Sequence, residues 1–257
     1  MIIAISTNKG GVLKTSLATN LAGVISKTGK KVLIVDTDNQ GNVSLSFGLN
    51  PDNFKKTLYN VLVEGIPAKN VIQNVYENID IIPSNDDMAF FEFDVLTNLK
   101  KYPQPFHLLR GSLKNIHSNY NYVLIDTPPN IGLTQGNVLA YADGVIIPFQ
   151  PEVYSMRSLQ KIMEAIRQFK EDHNPRLTII GVVATLVDSR TVLHSQVLQE
   201  CRRFCHENGI RMFETVIPRT IRYASSVAYE NLPATLSDKE NPLIQSYYQL
   251  WGELKNG

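Results

Sequence analysis

Lys9-Gly10-Gly11-Val12-Leu13-Lys14-Thr15-Ser16 carries the residue types that hold phosphate. The glycine pair frees the backbone, so successive N–H groups can turn toward an anion at a helix N-terminus. Lys14 adds a point charge, and the Thr15 hydroxyl can ligate Mg²⁺. A second stretch is Asp36-Thr37-Asp38-Asn39-Gln40-Gly41. Its two carboxylates stand two residues apart and share a side if the chain is extended. Near Mg²⁺ and a γ-phosphate, one can organise the metal's water shell and the other the attacking water. The third stretch, Tyr122-Val123-Leu124-Ile125-Asp126, is an apolar run ending in an acid suited to an outer Mg²⁺ contact. Alone, each acid reads equally as a helix cap or a loop carboxylate. Together with the glycine loop they read as one nucleotide site. One residue breaks the pattern: such loops have glycine before the lysine, and here Leu13 stands there.

These groups need a scaffold that gathers three strand ends. Apolar, β-rich runs at 2–6, 32–35, 79–82, 122–125, 144–148, 177–186 and 212–217 predict strands. Several are continuous rather than alternating, as in parallel strands covered on both faces. Helical patterns occupy 17–26, 106–117, 155–169, 193–207 and 243–254. The alternation predicts an α/β fold: a doubly wound, mostly parallel sheet flanked by helices, with sites at strand C-termini. No repeat or linker divides residues 1–257, so a single domain is expected. Residues 50–104 are the least regular and predict short helices laid on the sheet.

Composition narrows the function classes. The chain is 43% hydrophobic and 19% charged with a net charge of +1, so any nucleic-acid surface must be local. No apolar run reaches membrane-spanning length. The phosphate loop starts too close to Met1 to leave room for a signal peptide, and a cytoplasmic location is expected. Cys201 and Cys205, with His206 adjacent, read as thiols on or near one buried helix face rather than as a metal pair.

On these motifs the chain resembles the ParA/Soj/MinD group of deviant-Walker P-loop ATPases, whose loop reads Lys-Gly-Gly-x-Gly-Lys-[Thr/Ser]. Lys9 matches the signature lysine, which by resemblance reaches across a dimer to the partner's nucleotide. Lys14 and Thr15 match the phosphate lysine and the Mg²⁺ hydroxyl, and Gly10, Gly11, Val12, Leu13 and Ser16 complete the nucleotide-binding loop. The family's Asp-x-Asp-Pro-Gln-Gly corresponds to Asp36–Gly41 with Asn39 in place of proline. The resemblance implies that Asp38 positions the hydrolytic water and that Asp36 and Asp126 hold Mg²⁺ through water. Runs at 147–152, 181–191 and 216–222 resemble later ParA landmarks, and Pro218 would pack against the adenine. The implied cofactors are ATP and Mg²⁺. The implied partners are a second copy of the chain, non-specific DNA, and a ParB-like centromere-binding protein that stimulates slow hydrolysis. The implied setting is the nucleoid.

Asn8 replaces the first Walker glycine, a variation common in ParA proteins, whereas Leu13 leaves two readings open. Either the loop shifts slightly to accept leucine, or the chain is a nucleotide-gated binding protein with little or no turnover.

Two basic clusters are candidates for DNA. Residues 190–222 hold six arginines (Arg190, Arg202, Arg203, Arg211, Arg219, Arg222) against three glutamates. By resemblance to the region that ParA proteins use for DNA, Arg222 and Arg219 are the expected DNA contacts. Residues 100–114 carry Lys100, Lys101, Arg110 and Lys114 with no acid. MinD relatives bind membranes through a basic C-terminal helix, but here Lys255 is the only basic residue of the 241–255 tail. Core packing is expected for it, and no membrane partner, with a MinD-like membrane-positioning ATPase as the alternative reading. The chain opens on its first strand, so the N-terminal helix-turn-helix of larger plasmid ParA proteins is not expected.

Overall fold

The computed structural model describes residues 1–188, 190–237 and 241–256. Ser189, inside the 181–191 run, lies outside the described residues. The strands are β1 (Ile2–Ile5), β2 (Val32–Asp36), β3 (Gln73–Tyr76), β4 (Ile79–Ile82), β5 (Tyr122–Asp126), β6 (Gly144–Phe149), β7 (Thr178–Val187) and β8 (Met212–Pro218). The helices are α1 (Lys14–Ser26), α2 (Asn42–Leu45), α3 (Phe91–Leu96), α4 (Leu108–Leu113), α5 (Leu133–Tyr141), α6 (Ser155–Asp172), α7 (Val192–Glu207), α8 (Arg222–Glu230), α9 (Ala234–Ser237) and α10 (Gln245–Lys255).

The sheet runs β3-β4-β2-β5-β1-β6-β7-β8 and is parallel except for the β3–β4 pair. Strand β1 lies between β5 and β6, where the winding reverses, and the chain folds away to either side. This is the doubly wound sheet expected, with a crevice at the C-terminal end of its switch point. Both faces are covered. Ile2 and Ala4 of β1, with Leu33 and Val35 of β2, enter one core. Ile3 and Ile5, with Val32 and Ile34, enter the other. Period-two alternation between two apolar layers explains why these strands read as unbroken apolar runs.

Within residues 50–104 the strand expected at 79–82 is present as β4, and the unexpected β3 pairs with it as an antiparallel edge. The expected helix at 106–117 is shorter: α4 is flanked by 3₁₀ turns at Pro105–His107 and His117–Asn119. Gly111 lies within α4 and weakens it.

The tail packs as expected. Tyr247, Leu250 and Trp251 of α10 are buried in the same core as α1, and Trp251 meets Tyr122 edge-on at 5.1 Å. Leu250→Ala should therefore cost about 2–5 kcal/mol, read from urea midpoints. A residue reserved for membrane contact would leave the midpoint unmoved. No described helix is long and apolar enough to cross a membrane.

Candidate functional site

The loop from β1 to α1 takes the shape its glycines permit. Gly11 has φ +71° and Leu13 has φ 65°, both left-handed. Leucine thus occupies a glycine-type conformation rather than pushing the loop aside, at a cost of about 1–3 kcal/mol. Three contacts hold it there. The Leu13 carbonyl accepts the Leu17 N–H at 2.8 Å and so opens α1. The Leu13 side chain packs, half-buried, against the α1-side core. The Val12 carbonyl accepts the Thr185 hydroxyl of β7 at 3.1 Å.

Lys14 is buried, and its Nζ donates back across the loop to the Lys9 carbonyl at 3.0 Å. Burial lowers its pKa, against the opposing pull of Asp126 and Asp38. An ammonium so placed gains most from an anion brought into the loop.

The acids converge through strand register. Asp126 pairs with Ile5 of β1 on one side and with Asp36 of β2 on the other. Thr15 donates its hydroxyl to Asp126 Oδ2 at 2.5 Å, while Asp126 Oδ1 is buried without a partner. Burial raises the Asp126 carboxyl to about 7. Burial, then the neighbouring Asp126, raises Asp36 as well. The Asp36 carboxylate accepts the N–H groups of Asp38 and Val43, each at 3.1 Å, and so fixes the turn that carries Asp38. Asp38 is half-exposed and faces the cleft, its Oδ1 accepting the Gln40 N–H at 3.1 Å. Crowded buried carboxylates with an orphaned oxygen beside a threonine hydroxyl suit an added divalent cation. No group of three or more His, Cys, Asp or Glu among the described residues makes a protein-only metal cage. Mg²⁺ fits here only when phosphate oxygens complete its shell.

The cleft holds about 540 Å³. The phosphate loop forms its floor, Asp38 and Asn42 one wall, and Tyr223, Ala224 and Val227 of α8 the other. Sequence reasoning missed α8, although Tyr223 and Val227 show helical spacing. Pro218 ends β8, half-buried, and is not among the lining residues. Lys9 does not line the cleft either. Its Nζ meets Glu152 Oε2 at 2.5 Å and Ser155 Oγ at 3.1 Å, both beyond β6.

The arginine cluster is largely paired. Arg190 meets Asp188 at 2.7 Å, Arg202 meets Glu214 at 3.0 Å, and Arg222 meets Glu230 at 2.8 Å. Arg219 is exposed and has no carboxylate in ion-pair range among the described residues. Cys201 and Cys205 are buried free thiols on α7, as expected.

Comparison with known proteins places this geometry. An AAA-domain family model matches residues 1–179. A ParA family protein of Mycoplasma pneumoniae is 37% identical over 260 residues, covering 96% of this chain and 94% of the relative. The chain belongs to the ParA family. Among solved structures, a plasmid partition protein from Borrelia burgdorferi is similar at TM-score 0.74 and 26% identity, covering 99% of this chain and 96% of that one. A cobyrinic acid a,c-diamide synthase from Mycobacterium smegmatis, with bound ATP analogue and magnesium, is similar at TM-score 0.81 and 26% identity. It covers 96% of this chain and 90% of that one.

In this ParA family member, Leu13 can be tested directly. Leu13→Gly should keep ATP turnover within about threefold of wild type, because relief of ~1–2 kcal/mol of backbone cost is offset by lost packing. Leu13→Ile should lose about 1–2 kcal/mol of stability by urea unfolding, since a β-branched residue tolerates positive φ least. A large gain in turnover for Leu13→Gly would mean that leucine cripples the loop.

Proposed function

We propose that the chain is a DNA-segregation ATPase that closes as a face-to-face ATP dimer and binds DNA without sequence preference. A ParB-like centromere-binding partner stimulates its slow hydrolysis, and its place is the cytoplasm, on the nucleoid. The observation that carries this reading is the position of Lys9. It stands beside the phosphate cradle yet outside its own cleft, tethered to Glu152, as suits a residue that serves the opposite subunit. Exposed apolar residues support a dimer face at the same end of the sheet. Ile131, Val153, Tyr154, Val192 and Ile221 all stand on segments leaving strand C-termini and are all exposed. Apolar groups gathered at one surface favour an interface.

The geometry supports the following roles. The loop N–H groups of Gly10 to Ser16 and the Lys14 ammonium bind the ATP phosphates. Thr15 would hold Mg²⁺ directly, and Asp36 and Asp126 through water. Bound there, Mg²⁺ would neutralise charge on the phosphates. Asp38 orients the attacking water. The purine lies toward Tyr223, Ala224 and Val227 of α8.

Arg219 and Arg222 contact DNA phosphates. Arg219 contributes more, because Arg222 must first leave Glu230. Losing one subunit from the dimer halves the phosphate contacts, so DNA affinity falls steeply when the dimer opens. The test is duplex binding by anisotropy with ATP and with ADP at several salt concentrations. Binding should require ATP and weaken as salt rises. Equal affinity with the two nucleotides would sink the switch.

The reading of a binding protein without turnover has one observation in its favour, the strained Leu13 backbone. The retained Lys14, Thr15, Asp36, Asp38 and Asp126 favour hydrolysis.

A further inference from the structure

The opposite end of the sheet carries a second pocket. It holds about 740 Å³ and lies where β1, β6 and β7 begin. Arg110, Lys114, His107 and His117 line it from α4 and its flanking turns, Arg176 from the segment before β7, and Tyr141 from the end of α5. The basic run at 100–114 therefore divides. Lys101 turns away to donate to the Val63 carbonyl at 3.0 Å, whereas Arg110 and Lys114 join Arg176.

The wall is rich in donors and poor in acceptors. None of Arg110, Lys114 and Arg176 has a carboxylate in ion-pair range among the described residues. Arg110 reaches only Asn174 Oδ1, at 3.5 Å. The one acid of the lining, Asp143, already accepts the Ile2 N–H at 2.7 Å. Tyr141 is 5% exposed, and its hydroxyl has no hydrogen-bond partner. His117 packs edge-on against it, and its buried Nδ1 also lacks a partner. Buried polar groups are ordinarily satisfied, so two adjacent orphans beneath three unpaired cations point to a missing acceptor.

We propose that this pocket binds a small anion carrying two adjacent phosphate groups, at a site separate from the nucleotide cleft. The concave shape favours a small molecule over a duplex, which needs an extended basic surface.

The test is calorimetric titration of inorganic pyrophosphate into the full chain saturated with ADP, which fills the cleft. Inorganic phosphate and a short DNA duplex form parallel arms. Pyrophosphate should bind more tightly than phosphate. Arg176→Ala and Lys114→Ala, both at exposed unpaired positions, should each weaken it about tenfold or more. Lys100→Ala, outside the pocket, should leave it unchanged, and ADP affinity should be the same in every variant. Absence of pyrophosphate binding, or equal binding in the pocket variants, would overturn the proposal. So would a duplex that displaces pyrophosphate and is itself weakened by Arg176→Ala, since the site would then be a DNA surface.

Discussion

Replacing Lys9 with alanine is expected to lower ATP turnover by roughly 10³-fold while leaving ATP affinity within about threefold. The asymmetry follows from where the side chain lies. Lys9 contributes its carbonyl, not its ammonium, to the loop: Lys14 Nζ bonds that carbonyl at 3.0 Å, and alanine keeps it. The ammonium is held by Glu152 and Ser155, away from the cleft. Loss of the Glu152 pair costs the fold little, because both partners are partly exposed. On the proposed reading, the lost function is charge delivered to a transferring phosphoryl group, the role for which an arginine supplied in trans is worth about 10³–10⁵. ATP-dependent DNA binding should disappear with it, because the proposed dimer then loses both of its crossing lysines. Nucleotide affinity by fluorescence, turnover by phosphate release and DNA binding by anisotropy check the three parts.

Asp38→Ala is expected to lower turnover by about 100-fold or more, the usual contribution of a positioned acid–base group. Here ATP-dependent DNA binding should persist or strengthen. Asp38 lies at the cleft, and among the described residues its carboxylate accepts only the local Gln40 N–H, so its loss leaves the cradle of Lys14 and Thr15 whole. It is half-exposed, and stability should change by less than about 1 kcal/mol. The two variants thus separate closing from chemistry. Lys9→Ala fails to close, whereas Asp38→Ala closes and stays closed. Loss of DNA binding in Asp38→Ala would place that carboxylate in dimer assembly instead.

Much of this site is legible in sequence because its parts sit at ends of continuous apolar strands. Asp36 and Asp126 follow such runs, and parallel pairing of β2 with β5 aligns them. The lysine and glycine spacing of residues 9–15 is local, so no tertiary information is needed to recognise it. What stayed hidden depends on distant contacts. Glu152 is 143 positions from Lys9, and only the adjacency of β1 and β6 brings them together. Helix α5 escapes pattern reading because its buried face includes Gln135 and Asn137. Gln135 Nε2 donates to Ser6 Oγ and Asn137 Nδ2 to the Pro105 and Leu133 carbonyls, while Gln135 Oε1 is buried without a partner. Strand β3 is a half-exposed edge of four residues, too short and polar to stand out. The Leu13 conformation was not legible either. Composition predicts strain there, but only the backbone angle and the packing behind it show that the glycine-type turn survives.

The most direct measurement of the shared site mixes two inactive proteins. A Lys9→Ala subunit keeps Asp38 and lacks the lysine to give its partner. An Asp38→Ala subunit keeps Lys9 and cannot orient water in its own site. In a mixed dimer, the Lys9→Ala subunit receives Lys9 from the other and regains one complete site. Equal mixing should restore turnover well above that of either variant alone, with a ceiling of about a quarter of wild type if one crossing lysine suffices for closure and subunits pair at random, because half the dimers are then mixed and each has one working site of two. If Lys9 serves its own subunit, both sites of the mixed dimer stay dead, and turnover no higher than that of either variant alone would contradict the shared site.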